Sequence, residues 1–150
     1  MNAYSTVTAI QLHQSDSTRY LPYSPPAKLL SRLRWSVDGR KGVLRNAYIQ
    51  LGITHFFKQD KIYFKYGNET LTPGYTLLNA GVGTDIFLGG HSVVSLYLYG
   101  ENLTDVAYQS NMSRLKYADT NKATGRVGVF AMGRNFSFKM LIPLYINKHR

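Results

Sequence analysis

The chain has no cysteine. Disulfides and thiolate metal sites are therefore excluded, although this absence does not decide the compartment. Acidic residues are scarce, with 8 Asp and Glu against 18 Lys and Arg, giving a formal net charge of +10. Charged residues of both signs make up only 17% of the 150 residues and hydrophobic ones 44%. Such a balance excludes a disordered polyelectrolyte and fits one domain. No run approaches the roughly 18 uninterrupted apolar residues of a membrane helix. The opening "MNAYSTVTAIQL" lacks a basic n-region and an apolar h-region, so no signal peptide is expected there. A membrane crossing by strands stays open, because closed barrels also span bilayers.

The excess of basic residues is spread along the chain and forms no stripe at helical spacing. A nucleic-acid groove clusters its charge, so Lys and Arg read here as solvent-face and loop residues. Nucleic acid is not an expected partner. What is plentiful is aromatic: 12 Tyr, 7 Phe and 1 Trp, or 13% of the chain. Aromatics favour strands, and Tyr suits a boundary between apolar and wet surroundings.

Hydrophobic periodicity is 2 almost throughout. In the last segment Phe136, Phe138, Met140, Ile142, Leu144 and Ile146 share one face. In 75–88, Leu78, Ala80, Val82, Ile86 and Leu88 alternate with Asn79, Gly81, Gly83 and Asp85. Similar alternation places Leu29, Leu33, Trp35 and Val37 on one face, and Ala47, Ile49, Leu51, Ile53 and Phe57 on one face of the next segment. Val94, Leu96 and Leu98 oppose Ser95, Tyr97 and Tyr99. The pattern predicts an all-β, antiparallel up-and-down meander of about six strands, near 3–13, 27–38, 44–58, 75–88, 92–104 and 133–146.

Connections alternate in length. "DGRKG" and "LGGH" are short and glycine-bearing, as tight hairpins require. The other three are long. A meander then puts all short turns at one end and all long loops at the other, the asymmetry of outer-membrane barrels. A soluble antiparallel sheet or small barrel enclosing an apolar ligand fits the same alternation, and a basic, aromatic-rich sheet binding single-stranded nucleic acid is a third possibility. Membrane barrels use about eight strands or more. Six would make an open curved sheet with two unpaired edges, or part of a larger barrel.

Catalytic and metal patterns are weak. His13, His55, His91 and His149 are scattered over different segments. No Ser sits in a Gly-x-Ser-x-Gly elbow. The glycine-rich "GVGTDIFLGG" has no following Lys-Ser/Thr or helix and is no phosphate loop. Asp85, Glu101 and Asp105 read as rim or lumen residues. Neither an enzyme activity nor a metal or cofactor is expected.

Three stretches carry a resemblance: "TPGYTLLNAGVGTDI" (72–86), "LYLYGENLTDVAYQSNMSRLKYAD" (96–119) and "TGRVGVFAMGRNFSFKMLIPL" (124–144). The most specific element is Asn102, Leu103, Thr104 and Asp105, followed by Tyr108 and later by Gly133, Arg134 and Asn135. Together with "YLPYSPPAKLL" (20–30), they resemble the C-terminal end of TonB-dependent outer-membrane receptors, most closely those of Bacteroidetes. The resemblance implies a location in the bacterial outer membrane and a plugged barrel of the 22-stranded size. This chain would supply its last strands over 1–146, followed by a short polar tail, 147–150. Such receptors import chelated metal, haem, cobalamin, glycan or similarly bulky solutes. Implied partners are outer-membrane lipid, the remaining strands with the N-terminal plug, and the TonB complex through that plug. The plug and the TonB box match nothing in these 150 residues, so transport by this segment alone is not expected. One departure is that the family ends on an aromatic residue closing the last strand, whereas here "NKHR" follows Ile146.

Ligand contacts, if any, are expected from the long loops. Tyr63, Tyr66, Tyr108, Arg114 and Tyr117 are the candidates, because aromatics with Arg suit a bulky or anionic ligand. The strand at "LYLYG" is expected to continue without a break past Asn102 towards Tyr117, beyond the bilayer.

Overall fold

The computed structural model describes residues 2–8, 24–37, 39, 42–63 and 69–144. It contains one sheet of six strands in the order β1-β2-β3-β4-β5-β6. These are β1 (Asn2–Thr8), β2 (Lys28–Val37), β3 (Leu44–Phe56), β4 (Tyr75–Leu88), β5 (His91–Glu101) and β6 (Asn135–Leu141). Every neighbouring pair is antiparallel. β1 and β6 are not neighbours, so the sheet is open. The all-β meander expected from the alternation is the observed architecture.

Turn chemistry sets the hairpin ends. Gly89 and Gly90 both have positive φ, 56° and 84°, as a two-residue type I′ hairpin demands. Gly42, with φ 127°, stands at the β2–β3 turn. At this end two irregularities re-aim the strands. β3 slips register between Arg45 and Tyr48 and β4 between Ile86 and Phe87. Asn46 takes a left-handed φ of 52° in the first of these, and its Nδ2 donates to Asp85 Oδ2 at 2.7 Å. Asn tolerates this conformation better than most residues. Bulges of this kind gather at barrel rims and sheet edges. All the long connections leave from the opposite end.

Register separates the two faces. Residues paired across an antiparallel ladder lie on the same side. One row therefore crosses five strands as Trp35, Ile49, Val82, Leu98 and Phe138. The next row is Leu33, Leu51, Ala80, Gly100 and Phe136. In the first row every residue is between 43% and 66% exposed. The other face carries Ser36, Tyr48, Gly83, Tyr97 and Lys139 in one row, and Arg34, Gln50, Gly81, Tyr99 and Ser137 in another. On it the tyrosines lie down over the glycines: a Cβ at Gly83 would stand 2.5 Å from Tyr48 Cε1 and 2.6 Å from Tyr97 Cδ1. Arg34 in turn stacks on the Tyr48 ring, 3.7 Å from its centroid.

Among the described residues the sheet has no core beneath it. Among the described residues the only buried hydrophobic side chain is Ile62, and it lies in a loop. An isolated soluble sheet would turn its apolar row onto a second layer. Here the apolar face is the bare one.

Two expectations need correction. β5 does not continue towards Tyr117. It ends at Glu101, and Asn102 turns the chain with φ 49°. Asn102 Oδ1 accepts from Val106 N and Asn102 Nδ2 donates to Val106 O, both at 2.9 Å. That closed ring competes with an extended strand, as Asn side chains do. Past it come loops and a short 3-10 turn at Arg114–Tyr117. β6 is shorter than expected. It stops at Leu141, before Pro143, leaving Ile142 and Leu144 off the ladder, because proline donates no ladder bond. The first expected strand is present over Asn2–Thr8; its residues 9–13, Ile146 and the tail 147–150 lie outside the described residues.

Candidate functional site

The long-loop end is held chiefly by buried polar groups, with Ile62 the one buried apolar side chain among the described residues. Gln59, Glu69, Thr72, Asn102, Asn111 and Lys116 are all buried. Burying a polar group costs free energy unless it is hydrogen-bonded, and no buried side-chain donor or acceptor among the described residues lacks a partner. The segment leaving β3 and the segment approaching β4 meet first. Gln59 and Thr72 exchange backbone hydrogen bonds of 2.9 and 3.1 Å, which places Thr70 and Thr72 beneath the later loop.

That loop contributes Asn111 and Lys116. The turn at Ser110–Ser113 and the 3-10 turn after it direct Lys116 inward while Arg114 stays at the surface. Lys116 Nζ donates to Thr70 O at 2.9 Å and Thr72 Oγ1 at 2.8 Å. Thr72 Oγ1 donates to Asn111 Oδ1 at 2.9 Å. Asn111 Nδ2 donates to Ser24 O at 3.0 Å and Glu69 Oε1 at 3.4 Å. Glu69 Oε2 accepts from Tyr63 N at 2.9 Å. A directed chain of hydrogen bonds thus runs from an ammonium to a carboxylate through Thr72 and Asn111, tying four loop segments together.

Beside this knot is a cleft of about 630 Å³, lined by Lys116, Tyr117, Tyr75, Tyr108, Val127 and Phe130, among others. One wall is an aromatic ladder. Phe56 stacks on Tyr75 at 4.6 Å between centroids, and Tyr75 stacks on Tyr108 at 4.4 Å. Tyr108 is held in place because its carbonyl accepts from Ala131 N at 2.9 Å. Tyr117 closes another side, its hydroxyl accepting from Thr70 N at 3.2 Å. Offset-stacked rings at these distances are favourable beyond their area.

Of the loop candidates read from the sequence, Tyr108 and Tyr117 come together at the cleft. Arg114 is exposed and away from the described lining, and Tyr63 serves through its backbone. Tyr66 lies outside the described residues. Lys116, Tyr75 and Phe130 were not legible as site residues. A buried lysine between Leu115 and Tyr117 gives no signal in a sequence, and Tyr75 reads as an ordinary strand residue. The acidic residues Asp85 and Glu101 do not converge: Asp85 pairs with Ser95, at the opposite end of β5 from Glu101. Among the described residues no group of three His, Cys, Asp or Glu is placed to hold a metal ion. No helix among them is long and apolar enough to cross a membrane, which says nothing of strands.

The motif residues form a separate unit. Asn102 N donates to Asn79 Oδ1 at 3.0 Å and Leu103 N to Leu78 O at 2.8 Å, fastening the turn to β4. Leu103 reaches over Gly100, where a Cβ would meet its Cδ2 at 2.6 Å. Asp105, at φ 55°, accepts from Arg134 N through Oδ1 at 2.8 Å. The same Oδ1 stands 2.6 Å from where a Cβ on Gly133 would be, so a larger residue there would displace the Asp105 carboxylate. Asn135 pairs with Glu101 to begin the β5–β6 ladder. Thr104 is an exposed residue of the turn. These residues therefore close the loop between β5 and β6. They do not face the cleft.

No family model matches the chain, and no curated protein or solved structure matches it either.

Proposed function

We propose that this chain is a segment of an outer-membrane β-barrel, of the TonB-dependent receptor kind that its motifs resemble, and that it serves uptake of a bulky solute only with the remaining strands and plug. The observation that carries the reading is the bare apolar face, continuous over β2 to β6, on a sheet without a core. Lipid is the solvent such a face fits. The dimensions agree. Ile53 and Leu44 pair with Leu78 and Ile86, and over that span the apolar side of β4 advances about 26 Å at about 3.3 Å per residue. With a strand tilt of about 40° its height is about 20 Å, most of the apolar band of about 25 Å in such barrels. The polar, tyrosine-covered face would line the lumen, and the open edges would pair with further strands.

Trp35 reports on this directly. It is the only tryptophan and sits in the middle apolar row. When the full chain is diluted from urea into lipid vesicles, Trp35 emission should shift to the blue, with the strongest quenching from bromines placed deep in the acyl chains. A chain that stays monomeric and soluble without detergent, with Trp35 emission as in water, would overturn the membrane reading and favour a soluble β-domain.

A further inference from the structure

Among the described residues, the cleft at the long-loop end has a charge that its lining does not balance. Lys116 is 7% exposed and lines the cleft. An ammonium has three N–H donors. Two go to Thr70 O and Thr72 Oγ1, and the Tyr117 ring lies 5.2 Å from Nζ. Neither oxygen is anionic. The contacts of Lys116 include no carboxylate, and its link to Glu69 runs through Thr72 and Asn111. Among the described residues no carboxylate lines the cleft.

A desolvated cation without a facing anion is costly, and an incoming anion relieves that cost. The remaining lining is chiefly apolar and aromatic, so a charged group alone would leave most of the cleft unfilled. Its volume of about 630 Å³ lies within the range of small-molecule sites, roughly 300–1,000 Å³. Flat rings suit a wall formed by Tyr108 and Phe130, through stacking and edge contacts.

We propose that this cleft binds a small aromatic carboxylate, with the carboxylate on Lys116 Nζ and the ring against Tyr108 and Phe130. The proposal goes beyond the membrane reading and does not rest on it. Every described lining residue belongs to a loop or to the 3-10 turn, or is the first residue of β4.

The test is equilibrium dialysis of the full chain in detergent micelles, with protein-free micelles subtracted. The probes are 1-naphthoate and its uncharged analogue 1-naphthamide. Naphthoate should bind saturably at one per chain, with the amide weaker by about tenfold or more, the effect of losing one hydrogen bond between charged groups. Lys116→Met keeps the aliphatic stem and should remove that preference. Should Lys116→Met loosen the loops, Val127→Trp supplies an independent arm. Val127 is an exposed wall residue outside the hydrogen-bonded knot, and the added indole should block naphthoate. Equal binding of the two probes, naphthoate binding untouched by Val127→Trp, or no binding at millimolar probe would each overturn the proposal.

Discussion

Asp105 Oδ1 accepts the Arg134 backbone N–H at 2.8 Å, across 29 residues of chain. One hydrogen bond thus draws together the exit from β5 and the approach to β6, and fixes where the loop between them begins and ends. The acceptor sits on a residue at φ 55°, which Asp and Asn adopt at lower cost than other side chains. Asp105→Asn keeps both the oxygen and that tolerance and should leave stability almost unchanged. Asp105→Ala removes the acceptor and strains the backbone, and should cost about 1–3 kcal/mol. Urea unfolding in micelles, together with faster proteolysis between 106 and 133, would check both. Equal midpoints for the two variants would show that the bond does not hold the loop.

How much of this could be read from the residues depends on the range of the interaction. Period 2 is a local property, so Trp35, Ile49, Val82 and Phe138 announced both their strands and their common face. Paired glycines at 89 and 90 marked a two-residue hairpin for the same reason. The end of β5 was not legible, because it depends on Asn102 closing a ring with Val106 and receiving support from Asn79 on another strand. The short β6 followed from Pro143, whose lost donor ended the ladder earlier than the apolar alternation suggested. At the cleft, Tyr108 and Tyr117 stood out as loop aromatics. Lys116 did not, since only tertiary contacts from Thr70 and Thr72 make its burial tolerable.

The tyrosine-over-glycine contacts on the polar face discriminate between two glycines of one sheet. A Cβ at Gly83 would meet Tyr48 and Tyr97 inside 3 Å, whereas at Gly52 the nearest atom is Ser31 O at 3.9 Å. Gly83→Ala must displace two rings and should destabilise by about 1–3 kcal/mol. Gly52→Ala meets ordinary contacts and should fall within about 0.5 kcal/mol of the parent chain. Matching unfolding curves for the two variants would mean that the rings do not lie on the glycine backbone.

Thr72 is the shared member of the loop knot, donating to Asn111 and accepting from Lys116. Thr72→Val preserves shape but deprives two buried groups of a partner, one of them charged. The expected cost is about 2–4 kcal/mol, with Thr72→Ser close to neutral because the hydroxyl remains. Trypsin gives a local readout. Lys116 is buried and Arg114 exposed, so cleavage after Lys116 should lag behind cleavage after Arg114 in the parent chain. Thr72→Val should abolish the lag. A lag unchanged in that variant would remove Thr72 from the network's role.

Adjacent residues on β3 separate the two faces most sharply. Ile49 belongs to the bare apolar row and Gln50 to the polar row beside Arg34 and Gly81. Any soluble fold that merely exposes both faces would accept a lysine at either position. In a bilayer the two positions differ, because a lysine in the middle of the lipid face costs about 2–4 kcal/mol while a lumen lysine keeps its water. Ile49→Lys should therefore abolish the Trp35 blue shift on mixing with vesicles, and Gln50→Lys should retain it. The comparison is internal, since each variant adds the same charge to the same strand. Equal insertion of both, or equal failure, would place lipid on neither face.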